Sequence, residues 1–415
     1  MIYDVIIAGA GPAGLMAGIT AAASGRSALI LEHMAEAGRK LLICGKGRCN
    51  ITNTCDINEM IKNIPGNGVF LHSCLQAFDN RKLIDFFHGH GLCTKAERGG
   101  RVFPASDKAA DVRDVLLKVF AGYGGRIFLG SKVCGLVVEN RRITGVRLRD
   151  NTFIAGRGVI VSTGGASYPS TGSDGSGFKL AESCGHTIVT PRPSLVPLET
   201  DSPYAKRLQG LSLRNVTAAL VANGLKGKKE FGELIFTHFG LSGPIILTVS
   251  NLARNYLDKG ARVELSIDLK PALEEQILDA RLQRDFAKHS RKKMGNALAE
   301  LTPGALAPVL LQEAGIDADK FANQLTKKER RDLLNAFKDL RFAVTNTRPR
   351  AEAIVTAGGV STKEIDPATM RSKIVDSLYF AGEVLDIDGY TGGFNLQAAF
   401  STGYAAGKSA GANKH

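Results

Sequence analysis

The segment Gly9-Ala10-Gly11-Pro12-Ala13-Gly14 restricts the fold of this chain more than any other stretch of its 415 residues. An apolar run, Val5 to Ala8, leads into it; the small-residue stretch Ala13 to Ala23 follows, and Ala28 to Leu31 closes the unit. Strand, glycine turn, helix and strand in that order make a βαβ mononucleotide-binding half. Gly9 permits the tight turn, Gly11 lets the backbone approach a pyrophosphate, and Gly14 lets the helix pack closely on the strand. Ala10 and Ala13 share the turn and are expected at the ligand with them. The helix start offers unpaired N–H groups and a positive dipole end to phosphate, and Glu32, ending the second strand, is placed to accept hydrogen bonds from ribose hydroxyls.

A second unit of the same kind lies near the other end of the chain. Tyr379 to Glu383 reads as a strand entering a turn, and Gly389 to Ala398 as a glycine loop opening a helix. Gly382 and Glu383 are expected at ligand hydroxyls. The N–H groups of Gly393, Phe394, Asn395 and Leu396, at a helix start, can stabilise negative charge on a bound group.

Between the two ends the pattern changes several times. Residues 126 to 161 read as a meander, with runs at Lys132 to Glu139, Ile143 to Leu148 and Val159 to Val161. Val133 lies in that meander, and the turn Thr163-Gly164-Gly165 follows its last strand; both are candidate ligand contacts. Pro191, Pro193 and Pro197 mark a boundary; Ser212 to Val221 and Arg262 to Leu269 then read as strands, and Pro271 to about Phe342 as helices. The domain expectation is therefore a discontinuous dinucleotide-binding domain over 1–188 and 346–415, a β-rich insertion over 189–270 and a helical part over 271–345.

Composition limits the surroundings. The opening strand carries Asp4 and is cut short by glycines before a secretory or membrane-spanning run is complete, so a cytoplasmic protein is expected. Seven scattered cysteines without a CxxC pair argue against a disulfide framework, and no metal site is expected. A net charge of +13 with pI ≈ 9.4 fits either a solubility charge or a polyanionic partner.

The stretch Gly38 to Asn53, GRKLLICGKGRCNITN, is rich in glycine, cations and small polar side chains. Its backbone, with Gly47, Cys49 and Asn50, can wrap a dinucleotide while Arg39, Lys40 or Arg48 offsets phosphate charge. This stretch resembles the GRKLLxSGxGRCNxTN signature of the HI0933-like flavoproteins, with Cys44 where serine is expected. The resemblance continues through Gly100 to Pro104, Thr163 to Gly165, Phe236 to Pro244 and Thr356 to Val360. It implies an α/β, Rossmann-like, glutathione-reductase-like FAD-binding domain, interrupted by an inserted β-rich plus helical domain that closes over the flavin. It also implies FAD as cofactor, with the turn Thr163 to Gly165 near its adenosine part, NADH or NADPH as reductant, and an association with dihydrouridine in large-subunit ribosomal RNA.

Three observations favour RNA as the substrate: the charge excess, the resemblance, and basic clusters at Lys226 to Lys229, Arg291 to Lys293 and Lys327 to Arg331. Residues 189–345 nevertheless hold 24 Lys and Arg against 18 Asp and Glu, so the excess is not confined there. Reducing uracil requires a proton at C5, and an acidic cysteine such as Cys49, or Cys44, can donate it by analogy with the unrelated dihydrouridine synthases. Other readings stay open: reduction of a small enone or steroid-like double bond, and a noncatalytic flavin-stabilised RNA-binding protein. A dithiol mechanism is a third, because Cys44 and Cys49 have the spacing of the pyridine nucleotide disulfide reductases, although the second glycine fingerprint and the C-terminal His-Pro pair are missing. Tyr390, Tyr168, His238 and Arg101 are weaker candidates for acid, gate or substrate anchor. His72, His88 and His90 read as surface or helix-end residues. The sequence leaves the oligomeric state open.

Overall fold

A computed structural model describes residues 1–412. The chain divides into two compact units, Met1–Ser194 with the chain from Arg350 onward, and Leu195–Pro349.

In the first unit β1 (Tyr3–Ala8), α1 (Pro12–Ala23) and β2 (Ala28–Leu31) form the expected βαβ half. They belong to a seven-stranded sheet. β1 pairs in parallel with β2 and with Phe153–Val161; β2 pairs with Arg126–Phe128, and Leu378–Phe380 pairs with Phe153–Val161. The C-terminal strand thus joins the same sheet as the N-terminal one, which makes this unit discontinuous in sequence. Strands Val133–Glu139 and Arg142–Leu148 extend it as an antiparallel meander.

α1 is apolar nearly all round because it is covered on both sides. The C-terminal helix Phe394–Ala412 packs directly on it: a Cβ at Gly403 would stand 2.3 Å from Ala13 O, and one at Gly407 2.2 Å from Ala17 O. Only glycine permits so close a crossing. A small three-stranded sheet, Thr52–Asn53, Arg101–Pro104 and Thr94–Glu97, carries the end of the signature stretch.

Of the three prolines after Thr190, Pro191 and Pro193 lie inside this unit, which ends at Ser194, before Pro197. Ile188–Ser194 is a strand paired antiparallel with Val355–Val360, with a register shift between Val189 and Arg192. Proline lacks the N–H that a regular ladder needs and is accommodated at such an irregularity.

The second unit has its own core around Leu220, Phe236, Leu265, Leu333, Phe337 and Phe342. Its eight-stranded sheet includes Ser212–Ala222, Glu230–Phe236, Val263–Asp268 and Leu340–Val344. The helices Glu275–Lys288, Met294–Ala299, Ala307–Glu313 and Lys327–Lys338 fall between two neighbouring strands of that sheet. Sheet and helices therefore share one core, where the sequence pattern separated a β part from a helical part.

Candidate cofactor site

The fingerprint behaves as its glycines require. Gly9 has φ +104°, and a Cβ there would lie 2.6 Å from Ser162 O; one at Gly14 would lie 1.9 Å from Gly9 O. At Gly11 a Cβ would meet nothing within 4 Å, so the missing side chain leaves open space where a ligand can approach. Pro12 occupies the first turn of α1 and Gly11, the N-cap, provides no side-chain cap, so the early N–H groups keep their electrostatic pull outward.

Glu32 is buried and fixed, accepting from Ala10 N–H at 2.8 Å and Met34 N–H at 2.9 Å. Ser131 N–H donates to the Glu32 carbonyl at 2.8 Å, which brings the start of the meander, with buried Val133, beside this carboxylate. In the turn Thr163-Gly164-Gly165 the Thr163 hydroxyl is buried without a hydrogen-bond partner in the protein. An open approach at Gly11, an uncapped helix start, a fixed carboxylate and an orphaned hydroxyl together fit the pyrophosphate and ribose of a dinucleotide.

Lys40 and Glu383, expected separately at phosphate and ligand hydroxyls, meet each other. Lys40 Nζ lies 2.6 Å from Glu383 Oε2 and 2.8 Å from Ser167 Oγ. Glu383 Oε1 accepts from Thr356 N–H at 2.8 Å and Ser167 Oγ at 3.0 Å. Gly382 sits over the start of α1, where a Cβ would stand 2.8 Å from Ala13 Cβ. Neither Ser167 nor Thr356 was recognised from sequence; both lie in stretches that the family resemblance singles out or adjoins.

The signature stretch divides between two tasks. Arg39 and Lys40 open the short helix Arg39–Ile43, and Gly45, Lys46, Gly47 and Cys49 all have positive φ. Arg48 points away from the expected phosphate role: it pairs with Glu97 and Asp107 and lies 4.2 Å over the Phe103 ring. Asn50, with its amide nitrogen toward the acceptors, donates to Thr52 O (3.0 Å) and Val102 O (3.2 Å) and accepts from Gly393 N–H (2.9 Å). Asn53 Nδ2 donates to Gly392 O at 3.0 Å, and buried Thr52 and Gln397 are joined at 2.5 Å. Gly393 is pressed against Thr52, whose O would lie 2.3 Å from a Cβ. The stretch therefore clamps the C-terminal glycine loop. Of the expected flavin-facing donors, Gly393 N–H is already engaged; Phe394, Asn395 and Leu396 begin the helix, where N–H groups lack intrahelical acceptors. The Asn395 side chain itself bonds the loop at Gly389 N and O, each at 2.8 Å.

Cys44 and Cys49 are unbridged. Burial pushes both thiols up, Cys49 well above the ordinary value. Both are therefore weaker acids than a free thiol, not the acidic cysteine expected from the sequence. Asp388, also unrecognised in the sequence, is buried, accepts from Ser194 Oγ at 2.8 Å, and has its carboxyl pushed up by burial.

In the second unit half of the cations in the basic clusters are paired: Lys226 with Asp339, Lys228 with Glu230, Lys292 with Glu300, Lys293 with Asp319 and Arg330 with Asp279. Among the described residues no group of His, Cys, Asp and Glu could hold a metal, and no helix is long and apolar enough to cross a membrane.

A family model, the HI0933-like protein Rossmann domain, matches residues 3–409. The chain belongs to the HI0933-like family. Membership places it among the FAD-dependent oxidoreductases. This HI0933-like chain is 34% identical over 412 residues to the 3-dehydro-bile acid delta(4,6)-reductase of Clostridium scindens, covering 97% of the chain and 98% of that relative. It is 32% identical over 404 residues to the ribosomal RNA dihydrouridine synthase of Escherichia coli, covering 97% and 96%. Its fold is similar to that of 3-ketosteroid delta1-dehydrogenase from Sterolibacterium denitrificans, with TM-score 0.56 at 14% identity over the full length of both chains.

Proposed function

We propose that this chain holds FAD noncovalently and, with NADH or NADPH as reductant, reduces uracil to dihydrouracil in ribosomal RNA in the cytoplasm. The observation that carries the flavin site is the convergence of the Gly9–Gly14 turn, Glu32, the Lys40–Glu383 pair and the clamped Gly392–Gly393 loop, all within one unit. Gly9 to Gly14 with Thr163 to Gly165 would hold the pyrophosphate and its surroundings, Glu32 and Val133 the adenosine end, and Gly382 and Glu383 the ribityl chain. Phe394 to Leu396 would face the ring system with their N–H groups. When bound and reduced, FAD supplies a hydride.

Uracil takes that hydride at C6 and a proton at C5, so the chain must provide or relay the proton. Cys49 and Cys44 are the proposed donors by analogy with the unrelated dihydrouridine synthases; burial raises both thiols, so they are weak acids that release the proton only to a strongly basic C5. The RNA assignment is supported by the net charge of +13 and by the name of the Escherichia coli relative.

A second reading is favoured by the Clostridium scindens relative: reduction of a small conjugated enone. Uracil C5=C6 is itself conjugated to a carbonyl, so the two readings share their chemistry and differ in what surrounds the double bond. The deciding experiment measures dihydrouridine by mass spectrometry in ribosomal RNA from cells with and without the gene. Reconstitution then uses FAD, each reduced nicotinamide nucleotide, and either unfolded ribosomal RNA or a steroid dienone. Dihydrouridine that depends on the gene and is formed in the reconstituted reaction supports the first reading; unchanged dihydrouridine with turnover of the dienone selects the second.

A further inference from the structure

We infer that the open face of the meander in the first unit is a binding site for single-stranded RNA, with Phe153 as a base-stacking platform and Arg147 and Arg157 as phosphate contacts. The inference rests on the RNA reading above.

The strand register defines the face. Gly135 lies opposite Arg147, and Arg147 opposite Phe153; one row along, Val137 lies opposite Gly145 and Gly145 opposite Ala155. Residues paired across strands share a side of the sheet, so these six project together. The alternate row, Leu136, Val146 and Ile154, packs on the core. A sheet face turned to solvent ordinarily carries polar side chains. Here, beside Arg147, it has two glycines, a valine, an alanine and a phenylalanine.

Phe153 is 46% exposed, and its ring lies against Gly145, where a Cβ would stand 2.7 Å from Cε2. Glycine at that position gives the ring room to lie down on the sheet. Arg147 sits beside it, with its guanidinium carbon 5.9 Å from the ring centroid. Arg157, two residues beyond Ala155, has one ion-pair contact at the limit of distance, 4.0 Å to Asp4, whose carboxylate is already held by Ser27. Next to Arg157 is a shallow hollow of about 260 Å³ bounded by Ile2, Arg142, Thr144 and Ala155.

An exposed aromatic ring on a sheet face with cations beside it is how unpaired bases are held without sequence readout. The face is independent of the cofactor site. Phe153 and Ser162, which touches the fingerprint turn, are nine residues apart along one strand, roughly 30 Å at about 3.3 Å per residue. RNA held here is a flanking segment and not the reacting base.

The test is binding of a fluorescein-labelled twelve-nucleotide single-stranded oligouridine, with turnover on unfolded ribosomal RNA in parallel. F153A should weaken binding about tenfold, F153W and F153Y should restore it, and F153L should not. R147A and R157A should each lower the salt dependence of binding by about one phosphate contact. In turnover, F153A should raise KM for RNA and leave kcat and FAD content unchanged. Wild-type affinity in F153A, or rescue by leucine equal to rescue by tryptophan, overturns the inference even if dihydrouridine is formed. Failure of the wild-type protein to form dihydrouridine overturns the underlying reading instead.

Discussion

Single residues separate cofactor binding from folding. Gly11 and Gly14 belong to one motif, yet a Cβ meets nothing at Gly11 and meets Gly9 O at 1.9 Å at Gly14. G11V should fold with an unchanged melting temperature in the absence of FAD and fail to retain FAD through gel filtration. G14A should lose about 1–3 kcal/mol of stability whether FAD is present or not, because the backbone must move to admit the methyl group; a chemical denaturation curve measures it. The cysteines make a second contrast. Cys93 and Cys134 are exposed, whereas Cys49 and Cys74 are buried with thiols pushed up, Cys74 to about 12. Alkylation of the native protein at pH 8 should label the first pair and spare the second, since the thiolate is the reacting form. Labelling of Cys49 at the rate of Cys93 would contradict the burial described here. The positions of the glycines were legible in the sequence because each spacing has a backbone reason. The partner of Asn50 was not, since Gly393 lies more than three hundred residues away.

At the scale of elements, the crossing of α1 with the C-terminal helix joins the two ends of the chain. G407V would drive a side chain into Ala17 O, 2.2 Å from the Cβ position. It should lower the melting temperature and release FAD together, a coupling that G11V lacks. In the second unit, helix Lys327–Lys338 begins with a capping box between Thr326 and Glu329, and Lys320 pairs with the same carboxylate. T326A should cost about 1 kcal/mol. The Glu329 carboxyl is held down to about 2, first by Lys320 and then by the Thr326 backbone. A folded value below the unfolded one means that the stabilisation is complete above the unfolded pKa and is lost as pH falls through the folded one. Thermal melts of E329Q and wild type should therefore differ at pH 7 and converge between about pH 5 and pH 2. Helix periodicity and the Thr-x-x-Glu spacing are readable locally. That these helices share a core with strands on either side is a property of packing, which the linear pattern divided into two parts.

For the whole molecule, the two units have separate hydrophobic cores. A polypeptide of residues 195–349 should fold alone and melt cooperatively by circular dichroism. Residues 1–194 should not bind FAD, because strand Leu378–Phe380 and the helix Phe394–Ala412 complete their sheet and cover α1. FAD binding by the N-terminal piece alone would show that the two ends do not build one site. By itself the sequence determined the βαβ start, the returning C-terminal unit and the dinucleotide class of ligand. In each, turn geometry and helix-start chemistry act over a few neighbouring residues. Only tertiary structure decided that Lys40 faces Glu383, that Arg48 is taken up by Glu97 and Asp107, and that the end of the signature stretch clamps Gly392 and Gly393. Those pairings depend on which distant segments the folded backbone brings within hydrogen-bond reach, and a charge or amide carries no local mark of its partner.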